Sequence, residues 1–475
     1  MNTPTQANPS SLPEELAAAF PGAIAQLSSL IRIPSVSWEA FDPANVQASA
    51  ERIAELARET GFFASVEIAR AALPSGEQSD AQPDALGQPA VIAHRPAQPG
   101  YPHIVLYSHH DVQPPGDAEL WDSPPFEPTV RGDRLYGRGS SDDKAGVVTH
   151  LTAANILQRR YGDDYPVGVT LFIEGEEEAG SRSFTQFLRD HREVLGGDAI
   201  VVADSDNVDT ETPALTVALR GNVTFRLSVR TLEHASHSGM FGGAVPDAPM
   251  ALIRLIDSCW AADGSVAIPG LESTTLGTIE YSEDQLRIET GLLAKPIGNG
   301  EIVSRLWAQP SVTVTGIDIV GVAEASNTLI PEVSARISVR VAPGQSAESA
   351  WTAIRAHLEG NAPWGAQLAF SEIDLGDPFL VDASGPHAAA MTRALAEGWA
   401  APVSQIGIGG SIPFISTLAT EFPNAEILVT AVGDPLSQPH SPNESQHLGS
   451  LQKAILSELL FLDGLAGHGS AGSAE

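Results

Sequence analysis

The chain has 475 residues, 43% apolar and 18% charged, which is the composition of a folded globular protein at a length beyond what one core sustains, so at least two domains are expected. Its formal charge of -33, with Lys144, Lys295 and Lys453 as the only lysines, excludes the basic footprint that nucleic acid or an anionic membrane surface requires. A single cysteine, Cys259, excludes an internal disulfide framework and a thiolate-rich zinc site. No stretch reaches the roughly 18 apolar residues of a membrane span, and the polar Met1–Ser11 segment has neither an apolar core nor a positively charged side chain, so a cytoplasmic address is expected.

In chain order, Ser11 stands at capping-box spacing from Glu14, and Leu16, Phe20, Ile24, Leu27, Leu30 and Ile31 recur near helical period, which predicts a helix ending at Arg32–Ser37. A second helix is expected over Ala44–Thr60, stopped by Gly61. Strands are expected at Ala64–Ile68, Ala90–His94 and Ile104–Ser108, with a Pro/Gly/Ala-rich loop over Ala71–Pro89. The β-rich runs Val167–Ile173 and Ala199–Ala203 then alternate with helices Ala145–Arg160 and Ser183–His191, which predicts an α/β fold built on a mixed, mostly parallel sheet flanked by helices. From Pro213 the pattern changes to strand Ala214–Val229, helix Asp247–Ala261, strands Val312–Val320 and Ser334–Val341, helix Ala347–Leu358 and strand Gln367–Ile373. That β-α-β-β-α-β order is ferredoxin-like, with a long loop of unfixed form over Pro269–Ser311. A last helix over Ser445–Leu462 precedes a Gly/Ser/Ala-rich tail, Gly464–Glu475, expected to be disordered.

Polar clusters punctuate this scaffold. His109-x-Asp111 ends a buried strand, and side chains two apart point the same way, so an imidazole and a carboxylate share one side. That suits a metal ligand backed by an acid, and equally a polar turn. Gly137-x-Gly139 with Asp142 and Asp143 leads into a helix; it lacks the third glycine of a dinucleotide cradle, and acids at a helix start serve as caps as readily as catalysts. Glu174, Glu176, Glu177 and Glu178 follow another buried strand, and acids so crowded repel unless a cation neutralises them. Asp204 stands at a further strand end and His440 in a proline-rich loop. Acids and histidines at the carboxyl ends of several α/β strands lie where such sheets place their sites.

Five motifs in order, Tyr107-x-His109-x-Asp111-Val112-x-Pro114, Gly137-Arg138-Gly139-x-x-Asp142-Asp143-Lys144, Glu174-Gly175-x-Glu177-Glu178-x-Gly180-Ser181, His237-Ser238-Gly239 and His440-Ser441-x-Asn443-Glu444, resemble the di-zinc family of carnosinase-like dipeptidases, aminoacylases, succinyl-diaminopimelate desuccinylase and bacterial glutamate carboxypeptidase. The likeness runs from about Leu30 to Leu462. It implies that His109 and Asp204 bind one zinc, Glu178 and His440 the other, and Asp142 bridges both, with a cis peptide after Asp142. Asp204 is preferred to Asp206 by its spacing before Pro213 and Arg220-Gly221. Two Zn²⁺ less three carboxylates would leave about one positive charge to stabilise a bridging hydroxide; Mn²⁺ or Co²⁺ suit the same donors. Glu177 is implied as general base and later acid, and Asp111 as the residue orienting His109.

The resemblance also implies a domain layout: a catalytic domain over 12–212 and 377–463, and an inserted ferredoxin-like lid and dimerisation domain over 213–376. On the lid, His237 would polarise the scissile carbonyl from the neighbouring subunit of a homodimer. Asn327 would face substrate and Arg340 clamp its carboxylate. Gly410 and Ser411 resemble the glycine-serine loop that meets the substrate terminus, although Gly407-Ile408 stand where carnosinase-like members carry Arg-Glu. Asp at position 204, with Val112-Gln113-Pro114 and Arg138, favours dipeptidases that cleave small peptides with a free carboxylate. Deacylation of N-acyl or N-carbamoyl amino acids and carboxypeptidase action are the alternatives. A non-enzymatic acidic scaffold is disfavoured, because Glu177 and every ligand position are intact.

Overall fold

In the computed structural model, which describes residues 11–74, 85–275, 279–381, 383–409 and 413–467, Ser11 and Glu14 close a reciprocal capping box on helix Leu12–Ile31. The next helix, Pro43–Thr60, is capped by the Asp42 side chain and ends at Gly61 with φ 66°, the left-handed conformation that glycine adopts without steric cost. Contacts divide the chain into two units, Met1–Thr216 with Val381–Gln405 and Thr417–Glu475, and Val217–Leu380 with Ile406–Ser416. The second is therefore inserted into the first along the sequence.

The first unit is organised by a sheet in the order Ser65–Ala69, Ala90–Arg95, Gly168–Glu174, His103–His109, Ala199–Val202 and Glu426–Thr430. Only the last four of these strands pair in parallel; Ala90–Arg95 joins Ser65–Ala69 and Gly168–Glu174 antiparallel, so parallel pairing is confined to the centre. Parallel neighbours need a crossover of a dozen or more residues, usually a helix, and no helix lies between Ser65–Ala69 and Ala90–Arg95 among the described residues. Ile104–Tyr107 and Val169–Ile173 are buried along almost their whole length, as strands covered on both faces must be. Helices Leu12–Ile31, Pro43–Thr60, Lys144–Tyr161, Pro386–Trp399 and Leu448–Gly467 contribute to the same core. His109 lies in register with Glu174 and Tyr107 with Val202, so the loops following these strands leave from one edge.

The second unit contains a four-stranded antiparallel sheet in the order Ser311–Asp318, Glu332–Val341, Gly221–Arg230, Gln367–Gly376. Helices Ala248–Asp257 and Ala347–Gly360 share its core, completing the ferredoxin-like arrangement. Val223, Phe225, Leu227 and Val229 are buried while the residues between them are not, the period of two of a sheet with one covered face.

Several expectations are revised. The strand expected over Ala214–Val229 is two strands, Ala214–Leu219 and Gly221–Arg230. The break falls at Arg220, whose guanidinium turns to donate to the carbonyls of Gly409 at 3.0 Å and Gln309 at 3.2 Å. The last helix starts at Leu448 because Ser445–His447 pair antiparallel with Arg134–Tyr136. It continues to Gly467, so residues 464–467 of the tail expected to be disordered are helical, and 468–475 lie outside the described residues. The Pro269–Ser311 stretch holds helices Glu283–Thr290 and Ile302–Trp307. Residues 75–84 of the Ala71–Pro89 loop lie outside the described residues.

At the opposite end of His103–His109, His94 Nδ1 and His103 Nε2 both meet Thr170 Oγ1 at 2.8 Å. Burial lowers the pKa of both imidazoles, and for His103 the nearby His94 lowers it further. A depressed histidine favours its neutral form in the fold, so its contribution is present above the unfolded value near 6.5 and is lost as pH falls toward the folded value. Urea midpoints at pH 7.5 and 5.5 are expected to fall more for the wild-type protein than for His103→Gln. Equal falls would show that this pair does not carry the acid sensitivity.

Candidate metal centre

Each candidate side chain is placed by a backbone feature. His109 is the final residue of its strand and buried; its Nδ1 meets the Asp111 carbonyl at 3.1 Å and the Asp111 carboxylate at 3.4 Å, which turns Nε2 outward as the available donor. The Asp111 carboxylate is fully buried and accepts from the backbone N–H groups of Glu177 at 3.1 Å and Glu178 at 3.0 Å and from Ser37 Oγ at 2.6 Å. It therefore links His109 to the turn of the acidic cluster. That turn, Glu177–Ala179, is a single helical turn closed by Gly180 at φ 87°. Gly175 precedes it with no space for a side chain, since an added Cβ would meet the Pro89 carbonyl and come within 2.9 Å of His110 Nε2.

Asp142 is followed by a cis peptide to Asp143, and its two carboxylate oxygens serve different histidines. Oδ1 lies 3.0 Å from His109 Nε2 and Oδ2 lies 2.9 Å from His440 Nε2. Glu178 Oε2 is 3.3 Å from the same His440 nitrogen, and Asp204 Oδ2 is 3.9 Å from His109 Nε2. The five positions His109, Asp142, Glu178, Asp204 and His440 thus gather, with Asp142 in the middle. A second grouping brings Asp143 together with His109 and Asp204. Asp143, however, spends its oxygens on the N–H groups of His109 at 3.2 Å and Gly146 at 3.2 Å, the latter capping helix Lys144–Tyr161. We read it as a cap.

The electrostatics are those of carboxylates crowded together and buried. Burial and the charge on Asp142 push Glu178 up to about 7, with His440 opposing. Burial pushes Asp204 up to about 6 against the pull of His109. Asp142 moves the other way: burial works against its ionisation, but the hydrogen bonds to His109 and His440 hold it below the usual carboxylate range. Hydrogen bonds to Asp142 and Glu178 raise His440 to about 11. Among the described residues the ion-pair partners of Asp142, Glu178 and Asp204 are imidazoles alone. A donor set of two imidazole nitrogens and three carboxylates fits borderline divalent ions such as zinc, which displace the protons these groups hold. Glu177 stands beside the cluster, half-buried, its backbone tied to Asp111. Burial pushes its carboxyl well above the usual range, with His109 opposing and Asp204 and Glu178 adding to it.

Gln113 and Glu444 have no assigned role in the sequence reading. Gln113 donates its backbone N–H to Glu178 Oε1 at 3.1 Å and its amide to Oε2 at 2.6 Å. A signal exists for it, since 109, 111 and 113 share one side of an extended chain. Glu444, which accepts from the backbone around Asp142, has none in local spacing.

The remaining candidates lie in the second unit. His237 is exposed on the two-residue strand Ser236–His237, paired with Thr328–Leu329. Its Nδ1 accepts from Gly239 N at 3.1 Å, which puts the proton of the neutral ring on Nε2. Asn327 adjoins it through its carbonyl, which accepts from Ser238 N at 3.0 Å. Arg340 is half-buried on Glu332–Val341, and burial lowers its pKa. Gly410 and Ser411 lie outside the described residues.

Residues 105–462 match the model of peptidase family M20/M25/M40. Cysteinylglycine-S-conjugate dipeptidase of Corynebacterium striatum is 35% identical over 368 residues, 76% of this chain and 80% of that protein. Beta-Ala-His dipeptidase of Rattus norvegicus is 26% identical over 403 residues, 80% and 79% of the two chains. Among solved structures, the di-peptidase Dug1p from Saccharomyces cerevisiae has a TM-score of 0.80 at 21% identity, covering 97% of this chain and 98% of that one. Human carnosine dipeptidase 1 scores 0.78 at 23% identity over 97% and 100%; these two likenesses bear on the fold. By the extent of the family match and by its curated relatives, the chain belongs to peptidase family M20/M25/M40 and is a metallopeptidase.

Proposed function

We propose that the protein is a dipeptidase, hydrolysing the amide bond of dipeptides that carry a free C-terminal carboxylate. The observation that carries this reading is the convergence of His109, Asp142, Glu178, Asp204 and His440 with the carboxylate of Glu177 beside them; the dipeptidase relative at 35% identity supports the substrate class. His109 and Asp204 would hold one ion, Glu178 and His440 the other, with Asp142 shared. Two divalent ions, zinc or in its place manganese or cobalt, supply Lewis-acid polarisation of a carbonyl and acidification of water.

Glu177 then acts as the proton carrier. It takes a proton from the attacking water as the new C–O bond forms and delivers it to the amide nitrogen as the C–N bond breaks. Arg340, with a planar fork of donors, suits the substrate carboxylate. His237, with its proton on Nε2, suits a developing oxyanion in a homodimer. Exposed Met240, Phe241, Met250, Ile253 and Trp364 on the second unit support that dimer, and the mass in solution reads it directly.

The test is a panel of dipeptides set against N-acyl and N-carbamoyl amino acids and longer peptides, with protein reconstituted in zinc, manganese or cobalt. Dipeptides are expected to give the highest kcat/KM. Preference for the acylated or carbamoylated amino acids, or for trimming longer peptides from the C-terminus, would replace this reading with an amidohydrolase or a carboxypeptidase.

A further inference from the structure

Asp142 and His440 come from stretches far apart in sequence, and both stretches have unusual backbones. Gly137 and Gly139 have φ 154° and 79°, and a Cβ on Gly139 would lie 2.5 Å from Val112 Cγ1. On the other side, Gln438, His440 and Asn443 have φ 53°, 61° and 64°, a region non-glycine residues occupy only when their surroundings hold them there. Glycine takes such angles without steric cost, whereas Gln438, His440 and Asn443 have no such freedom, so the second stretch above all needs partners that hold it.

One side chain touches both. Glu444 is fully buried, and each of its oxygens accepts twice. Oε2 takes Arg138 Nη1 at 2.7 Å and Gly139 N at 2.9 Å; Oε1 takes Ser141 N at 3.0 Å and Asp142 N at 3.1 Å. Its own carbonyl accepts from Gly137 N at 3.0 Å. Four donors on one carboxylate wrap residues 137–142 around it, and the last of them is the N–H of Asp142 itself. Arg138, also buried, extends the connection: Nη2 approaches the Ser441 carbonyl at 3.3 Å and the Pro114 carbonyl at 3.5 Å. The three stretches ending the His109 strand, carrying Asp142 and carrying His440 thus meet on one ion pair. A buried ion pair is a poor stabiliser compared with apolar packing, whereas a carboxylate whose acceptors are all engaged fixes geometry.

We propose that Glu444, acting with Arg138, is the positioning residue of the metal centre. It sets the backbone of Asp142 and the His440 loop so that the shared carboxylate faces both imidazoles before any ion arrives. This rests on the metal-binding reading above. It predicts that altering Glu444 weakens metal affinity beyond any effect on folding.

The experiment is a zinc titration by competition with a chromophoric chelator on the full chain, alongside melting of chelator-treated protein. Glu444→Gln keeps the shape but sets an amide N–H against two of the four donors, Arg138 and Gly139 N or Ser141 N and Asp142 N, whichever way the amide turns. Its zinc dissociation constant is expected to rise about 10–100-fold, the usual cost of losing a partner behind a ligand. Should that variant fail to fold, Arg138→Lys, which leaves the three backbone donors of Glu444 in place, is expected to weaken zinc about tenfold in the same titration. A lower melting temperature with an unchanged zinc constant in the folded variant would mean Glu444 only stabilises the fold, and would overturn the proposal. If the wild-type chain itself takes up no zinc, the metal reading fails first.

Discussion

Glu177→Gln is expected to lower kcat on a dipeptide by about 10²–10⁴-fold, or about 3–5 kcal/mol of barrier, with the metal content unchanged. In the proposed mechanism Glu177 is separated from the ligand set by role, while it is joined to that set by position. Its neighbour Glu178 faces His440, while its own backbone is pinned through Asp111 to the base of His109. The substitution preserves size and the backbone hydrogen bond and removes only the ability to take and return a proton. Metal analysis beside steady-state kinetics separates the two roles: lost turnover with full occupancy fits the proton carrier, and lost occupancy would make Glu177 a ligand. Undiminished turnover would refute the assignment.

Asp142→Asn should have the other large effect, through binding. Among the described residues, Asp142 is the one carboxylate whose two oxygens face two different imidazoles, at 3.0 and 2.9 Å. Asparagine offers one oxygen and no charge, so it can serve one partner and presents N–H groups to the other. Because groups that merely stand behind a ligand cost about 10–100-fold in affinity when removed, losing the shared ligand is expected to cost more than ~100-fold and to leave the dialysed protein with less than one ion per chain. Asp204→Asn, at the rim of the cluster, should retain more. Two tightly held ions in Asp142→Asn would show that the centre is organised differently.

Much of the scaffold is written in local patterns. Ile104–Tyr107 and Ala199–Val202 are unbroken apolar runs and Val169–Ile173 is broken only by Thr170, which is how strands covered on both faces appear, and the spacing of Ser11 to Glu14 marks a helix start that the capping box fulfils. The gathering of His109, Asp142, Glu178 and Asp204 follows from the motifs because each sits in or beside a regular element, whereas His440 lies in a loop and is marked by its motif alone. Less legible is whatever depends on a distant partner. Within Ala214–Val229, Gly221 hints at the break, but the carbonyls of Gln309 and Gly409 that receive the Arg220 guanidinium there are distant in sequence. Ser445–His447 reads as the start of a helix until Arg134–Tyr136 supplies a strand beside it. Glu444 closes the motif His440-Ser441-x-Asn443-Glu444, but its role becomes visible only when the N–H groups of residues 139, 141 and 142 are found around it.

The seam between Ser445–His447 and Arg134–Tyr136 has a consequence for biosynthesis. It is reinforced by Arg134, whose guanidinium reaches Asp434 and Ser445, the latter 311 positions later in the chain. A polypeptide still on the ribosome therefore lacks the stretch that brings the second histidine to the shared acid until translation has passed Ser445. On the metal-centre reading proposed above, the nascent chain is hydrolytically silent until that point, and a prematurely terminated product ending before that stretch would be inert whatever metal the cell provides.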